Sequence, residues 1–260
     1  MRSSSIYSLA IKDMKEAFSS IEIYGPMIFI PLFFAITLPI FTIYISIYAG
    51  PQLASRILGV TAQITQSTSR FYFISFFSVN ILGPIFLTMP IITASVIAAD
   101  SFAGEKERKT AESLLSTPIT NVELVLGKTL ASLIPAIMLT VVIFLIYASI
   151  TNYFVLNDFG KSIFPNTDWY MMMLNAPFLA LTTIGLVVIV SSRVRGVKEA
   201  QQISALLILP ILIIPFISVF NIVRLSFGFF LEMLLILMIT SAAIIYAGVR
   251  IFEREHFISA

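Results

Sequence analysis

Charged side chains able to do chemistry gather in one stretch of this chain. Residues 100–128 hold five acids, Asp100, Glu105, Glu107, Glu112 and Glu123, interleaved with Lys106, Arg108, Lys109 and Lys128. Such groups at helical spacing can pair on a surface and recognise a charged partner. Catalysis would need more: a base, nucleophile or carboxylate pair converging in a cleft. The chain has no cysteine, which removes thiolate nucleophiles, disulfides and Cys-ligated metals. Its single histidine, His256, sits beside Glu253 and Glu255 near the C-terminus, a poor basis for a metal site. Met171, Met172 and Met173 could offer soft thioethers, but adjacent residues on a helix point in different directions. Gly127-Lys128-Thr129 has the ending of a phosphate-binding loop, yet the first glycine of that motif would stand at 122, which is Val122. The expectation is a chain without catalytic, metal or cofactor-binding residues of its own, and without a nucleic-acid partner.

The elements that position the charged stretch are apolar. The chain is 58% hydrophobic and only 12% charged, with a mean hydropathy of +0.98. A soluble domain carries about a quarter charged residues, so lipid must be the solvent here. Apolar runs predict six spanning helices at 26–48, 75–99, 122–150, 170–192, 203–222 and 228–249, each near the roughly 20 residues a bilayer demands. Placing both termini in the cytoplasm puts 12 of the 16 Lys and Arg on the inner side, as the positive-inside rule requires. The fold class is therefore an all-α polytopic membrane protein, one domain over 1–260, multi-pass in the plasma membrane. An interfacial helix occupies 1–24, the bundle 26–249 and a cytoplasmic tail 250–260. Over residues 6–21 an apolar side (Ile6, Leu9, Ala10, Ala17, Phe18, Ile21) opposes Lys12, Asp13, Lys15 and Glu16, the pattern of a helix lying on lipid. The late, long apolar run and the absence of a small-residue cleavage site argue against a signal peptide.

Between the second and third spans the spacing predicts a short helix at 105–116. Glu105–Lys109 and Arg108–Glu112 form i,i+4 pairs on one face, and Ala111, Leu114 and Leu115 gather opposite. Thr117-Pro118 stops it, and Thr120-Asn121-Val122-Glu123 has the capping-box spacing that opens a new helix. The third helix then begins below the membrane. Topology alone needs only Lys and Arg, so the interleaved acids point to a docked partner. The outer loops are expected at 49–72 and 151–168, with Trp169 and Tyr170 in an aromatic belt. Glu232 is an intramembrane carboxylate; with Arg224, Asn80 and Asn175 at similar depth it makes a candidate outer gate, against the simpler reading of residues reaching to water. Prolines in spans one (Pro26, Pro31, Pro39), two (Pro84, Pro90) and five (Pro210, Pro215) permit kinks.

Glu-Lys-Glu-Arg-Lys-Thr-Ala-Glu-Ser-Leu-Leu-Ser-Thr-Pro-Ile at 105–119, with Glu123 and Leu-Gly-Lys at 126–128, resembles the inner loop of type-2 ABC exporter membrane subunits. Lys-Asp-Met-Lys-Glu at 12–16 and Lys198-Glu199-Ala200 in the second inner loop extend the resemblance more loosely over the whole chain. It implies a coupling helix seated in a separate cytosolic ATPase, with Glu105, Glu107, Arg108, Thr110, Glu112, Leu114, Leu115 and Pro118 as the transmission surface and Lys198 and Glu199 beside it. It further implies two ATPase subunits, which hold the ATP and Mg, and a second permease copy or paralogue. Rival readings are an ion-driven six-span transporter, which would carry more mid-membrane charge, a membrane-embedded enzyme, and an ABC-type complex that passes ATP energy to an outer partner without moving solute.

Overall fold

The computed structural model describes residues 3–48, 66–108, 120–194, 196–206, 208–219 and 225–251, and these are mostly helical with no strand among them. Among the described residues, six helices are long and apolar enough to cross a membrane. Helix α1 (Ser3–Ser19) precedes α2 (Ile21–Tyr48). Helix α3 runs through residues 66–107 in pieces, including π-helical turns at Phe77–Leu82 and Asp100–Gly104. Then follow α4 (Asn121–Phe159), α5 (Thr167–Ser191), α6 (Val197–Ala205), α7 (Ile208–Val219) and α8 (Phe227–Ile251). The protein is a multi-pass, all-α membrane protein. An even number of crossings brings Ser3 and Ile251 to one end of the bundle, the near end below.

Helix α3 is the centre of the bundle: 78% of its most apolar stretch is buried, against 28% in α2 and 17% in α8. Its far half sits in an aromatic core with Phe86, Phe144, Tyr147, Phe164 and Trp169. Tyr147 lies 4.4 Å from Phe86, ring to ring, and donates a hydrogen bond to the Ser78 carbonyl at 2.9 Å. That carbonyl belongs to the π-helical turn just before Gly83-Pro84. Pro84 has no N–H to continue the α-helical ladder, and the widened turn re-pairs the backbone at a depth where an orphan group is costly. The near half is built of small residues, Ala94, Ala98, Ala103, Ala136 and Ala180, which let helices approach closely.

Several boundaries depart from the sequence expectation. The second span carries on through its π-helical turns to Glu107, so Glu105 and Glu107 end that helix instead of opening a separate one. The rest of the expected 105–116 helix, with Lys109, Thr110, Glu112, Leu114, Leu115 and Pro118, lies outside the described residues. The third helix reaches Phe159, beyond the expected 150, and stops at Gly160, which has a left-handed φ of 65°. The polar residues Asn152, Asn157 and Asp158, read as loop, instead ride on its last turns. Asn152 holds the short link that follows, donating to the Phe164 carbonyl at 2.6 Å and accepting from the N–H groups of Ile163 and Phe164. Asp158 pairs with Arg70 at 3.1 Å, an acid supplied to Arg70 from the last turn of α4. In the fifth span the helix starts early, at Val197, and α6 ends at Ala205. Pro210 cannot donate to the Leu206 carbonyl, and the Leu209 N–H does so at 3.2 Å.

Candidate functional site

At the near end, α1, the last turns of α3 and the first turns of α4 bring charged groups into one cluster. Its core is Lys128, only 1% exposed. The ammonium lies 3.2 Å from Asp13 Oδ2 and 2.9 Å from Glu105 Oε2, and donates to the carbonyl and hydroxyl of Ser101. Ser101 donates in turn to Asp13 Oδ2 at 2.6 Å, and the Phe102 ring sits 5.4 Å from the ammonium. A buried ammonium is tolerated only when paired and hydrogen-bonded in this way. Lys12, on the wet side of α1, reaches Glu105 at 3.6 Å and Asp13 at 3.7 Å, so two carboxylates face two ammonium groups.

Local folding explains how the groups meet. Leu9, Asp13 and Ala17 are buried in one i,i+4 row of α1, which seats Asp13 against α4. A Cβ at Gly127 would lie 2.9 Å from Leu9 Cδ2 and 3.2 Å from the Ile6 carbonyl, so glycine leaves room for α1 to pack this closely. The expected division of α1 into an apolar and a polar side becomes three sides. Tyr7 and Phe18 are exposed beside the buried row, leaving an apolar face for lipid, and Lys12, Lys15 and Glu16 form the polar one. Asp13, expected on the solvated side, is 6% exposed.

A second layer closes over the first. Arg108 folds back on α3 to Asp100 at 3.0 Å and reaches Glu16 of α1 at 3.4 Å. Gly104 makes room, since a Cβ there would lie 3.0 Å from the guanidinium Nη2. The hydrogen bond to Asp100 raises the Arg108 pKa above its ordinary value; partial burial opposes this, and the charges of Asp100, Glu16 and Glu105 assist it. On the other side of the same turn, Lys106 donates to the Val194 carbonyl at 3.2 Å and Glu107 accepts from the Val197 N–H at 3.0 Å. Val194 follows the end of α5, and Val197 opens α6. One turn of α3 therefore grips both sides of the α5–α6 link, with Glu107 placed as an anion at a helix N-terminus.

Of the predicted surface residues, Glu105 is turned inward at 5% exposure, while Glu107 and Arg108 are exposed at the helix end, and Lys198 and Glu199 are exposed on α6. Thr120 forms the expected capping box: its hydroxyl accepts from the Glu123 N–H at 3.2 Å, and its own N–H donates to Glu123 Oε2 at 3.1 Å. At the far end, Asn80 donates to the Phe76 carbonyl. Asn175 is fully buried and donates to the carbonyls of Met171 and Phe230. Arg224 lies outside the described residues, and Glu232 borders an apolar cavity between α5, α7 and α8. No hydrogen bond joins Asn175 to Glu232, so these two do not form one polar cluster. Sequence reasoning missed Lys12, Asp13, Ser101 and Lys128 as members of a site. The available signals were the 9-13-17 row and a lysine two turns inside an apolar helix.

Buried ion pairs fix the register of α1, α3 and α4, and the α3 terminus ties that unit to the next connection. A family model described as "ABC-2 family transporter protein" matches residues 6–246. No curated protein matches the chain.

Proposed function

The chain belongs to the ABC-2 transporter family as a membrane permease, and from that premise we propose that it is the membrane half of an ATP-driven exporter. Two copies, or this chain and a paralogue, form the translocation path, and two cytosolic ATPase subunits bind the ATP and Mg and dock at the near end. The near end, with both termini, faces the cytoplasm of the cell. One observation carries the reading: the turn at 105–108 is bonded at once to α1, α4 and the α5–α6 link. A push on this turn by closing ATPases is delivered to four helices together, because interlocked ion pairs move as a unit or rearrange in discrete steps. The exposed Glu107, Arg108, Lys198 and Glu199 offer the docked partner its contacts, joined by Thr110, Glu112, Leu114, Leu115 and Pro118 of the adjoining segment.

The test is transport by the permease purified with its ATPase and sealed into vesicles. ATP-dependent, one-way movement of a lipophilic probe supports the exporter reading. ATP hydrolysis that responds to the permease without any movement of probe would favour energy transmission to a partner at the far end, where Tyr153 and Leu156 of α4 are exposed.

A further inference from the structure

The cavity beside Glu232 belongs to none of the groups bound together at the near end. It is an open cleft of about 330 Å³ with Glu232 and Ile236 exposed along it, the low end of the range for small-molecule sites. Its described walls come from α5 (Leu179, Thr182), α7 (Pro210, Ile211) and α8 (Phe229, Leu237 and neighbours), and Glu232 is the one ionisable residue among them. Depth can be read from helix rise. Glu232 stands five residues inside α8, about 8 Å from its far end, while Leu237 and Leu179 lie roughly 15–18 Å in. The carboxyl group therefore sits toward the far mouth, and the apolar floor reaches the middle of a bilayer about 30 Å thick.

A carboxylate at this depth is costly unless something compensates it. A neutral apolar occupant would remove its water and give nothing back, and an anion would be repelled. A cation with an apolar tail meets both requirements: charge at the mouth and hydrocarbon on the floor. We propose that this cavity binds a single-tailed lipophilic monocation, its head against the Glu232 carboxylate and its tail between α5 and α7. The proposal rests on the exporter reading only in making this occupant the cargo; binding itself needs no ATPase.

The experiment uses the purified chain in phosphatidylcholine nanodiscs with radiolabelled octyltrimethylammonium, and octanesulfonate as the charge-reversed competitor. Saturable binding that octanesulfonate does not displace is expected. Glu232→Gln should weaken it about tenfold, as loss of one charge-assisted contact implies, and Glu232→Asp should retain most of it. Ile236→Trp, at a cavity wall residue that is 61% exposed and so tolerant of bulk, should block binding even if the Glu232 variants fold poorly. Unchanged binding in Glu232→Gln or Ile236→Trp, or equal binding of octanesulfonate, would overturn the proposal. Intact binding without ATP-driven transport would count against the exporter reading alone.

Discussion

Lys128 holds its charge in a place where water cannot reach it, and the consequence is an asymmetry between single and combined substitutions. Lys128→Met leaves Asp13 and Glu105 buried without their cation, which should cost about 3–5 kcal/mol. Thermal unfolding followed by the fluorescence of Trp169, the sole tryptophan, measures it. Adding Asp13→Asn and Glu105→Gln to the same protein should restore most of the loss, since a neutral packed site avoids the uncompensated charge. A triple variant no more stable than the single one would mean that Lys128 does not depend on these carboxylates. Gly127→Val probes the same contact from its apolar side. Its side chain must displace Leu9, and overpacking of this kind costs roughly 1–3 kcal/mol, again read from the melt.

At the scale of elements, the α3 terminus is both a helix end and a fastener. Glu107→Ala removes the acceptor of the Val197 N–H, and the first turn of α6 should then exchange its amide hydrogens faster while α5 and α8 keep their protection. Equal exchange in both proteins would show that the Glu107 contact does not restrain α6. Thr120→Ala removes one half of the capping box and should cost about 1 kcal/mol. That box was plain in the sequence because capping is a local rule: residue types at fixed offsets determine it. The six spans were plain for a similar reason, since each apolar run declares itself. The burial of Asp13 and Lys128 was not, because both acquire their meaning from helices far apart in sequence, and either residue alone reads as a surface charge. The extension of α4 to Phe159 was also hidden. Its polar last turns look like loop until Arg70 and the 160–166 link supply their partners. The π-helical turns left no local signature beyond the neighbouring Gly83-Pro84.

For the whole molecule, the proposed function makes the near end a transmission device and the spans its load. Helix α3 is buried at the centre and fastened at its near terminus, while α2 and α8 present most of their surface outward. Motion delivered to α3 must therefore be felt by its neighbours, and the outward faces are free for lipid or a second copy. The most direct test is ATP hydrolysis by the permease–ATPase complex in nanodiscs, compared with the free ATPase, for the wild type and for Glu107→Ala combined with Arg108→Ala. The account predicts that the double variant stays folded by its Trp169 melt and still captures the ATPase, yet the permease no longer changes the hydrolysis rate. A double variant that stimulates hydrolysis as fully as the wild type would contradict it.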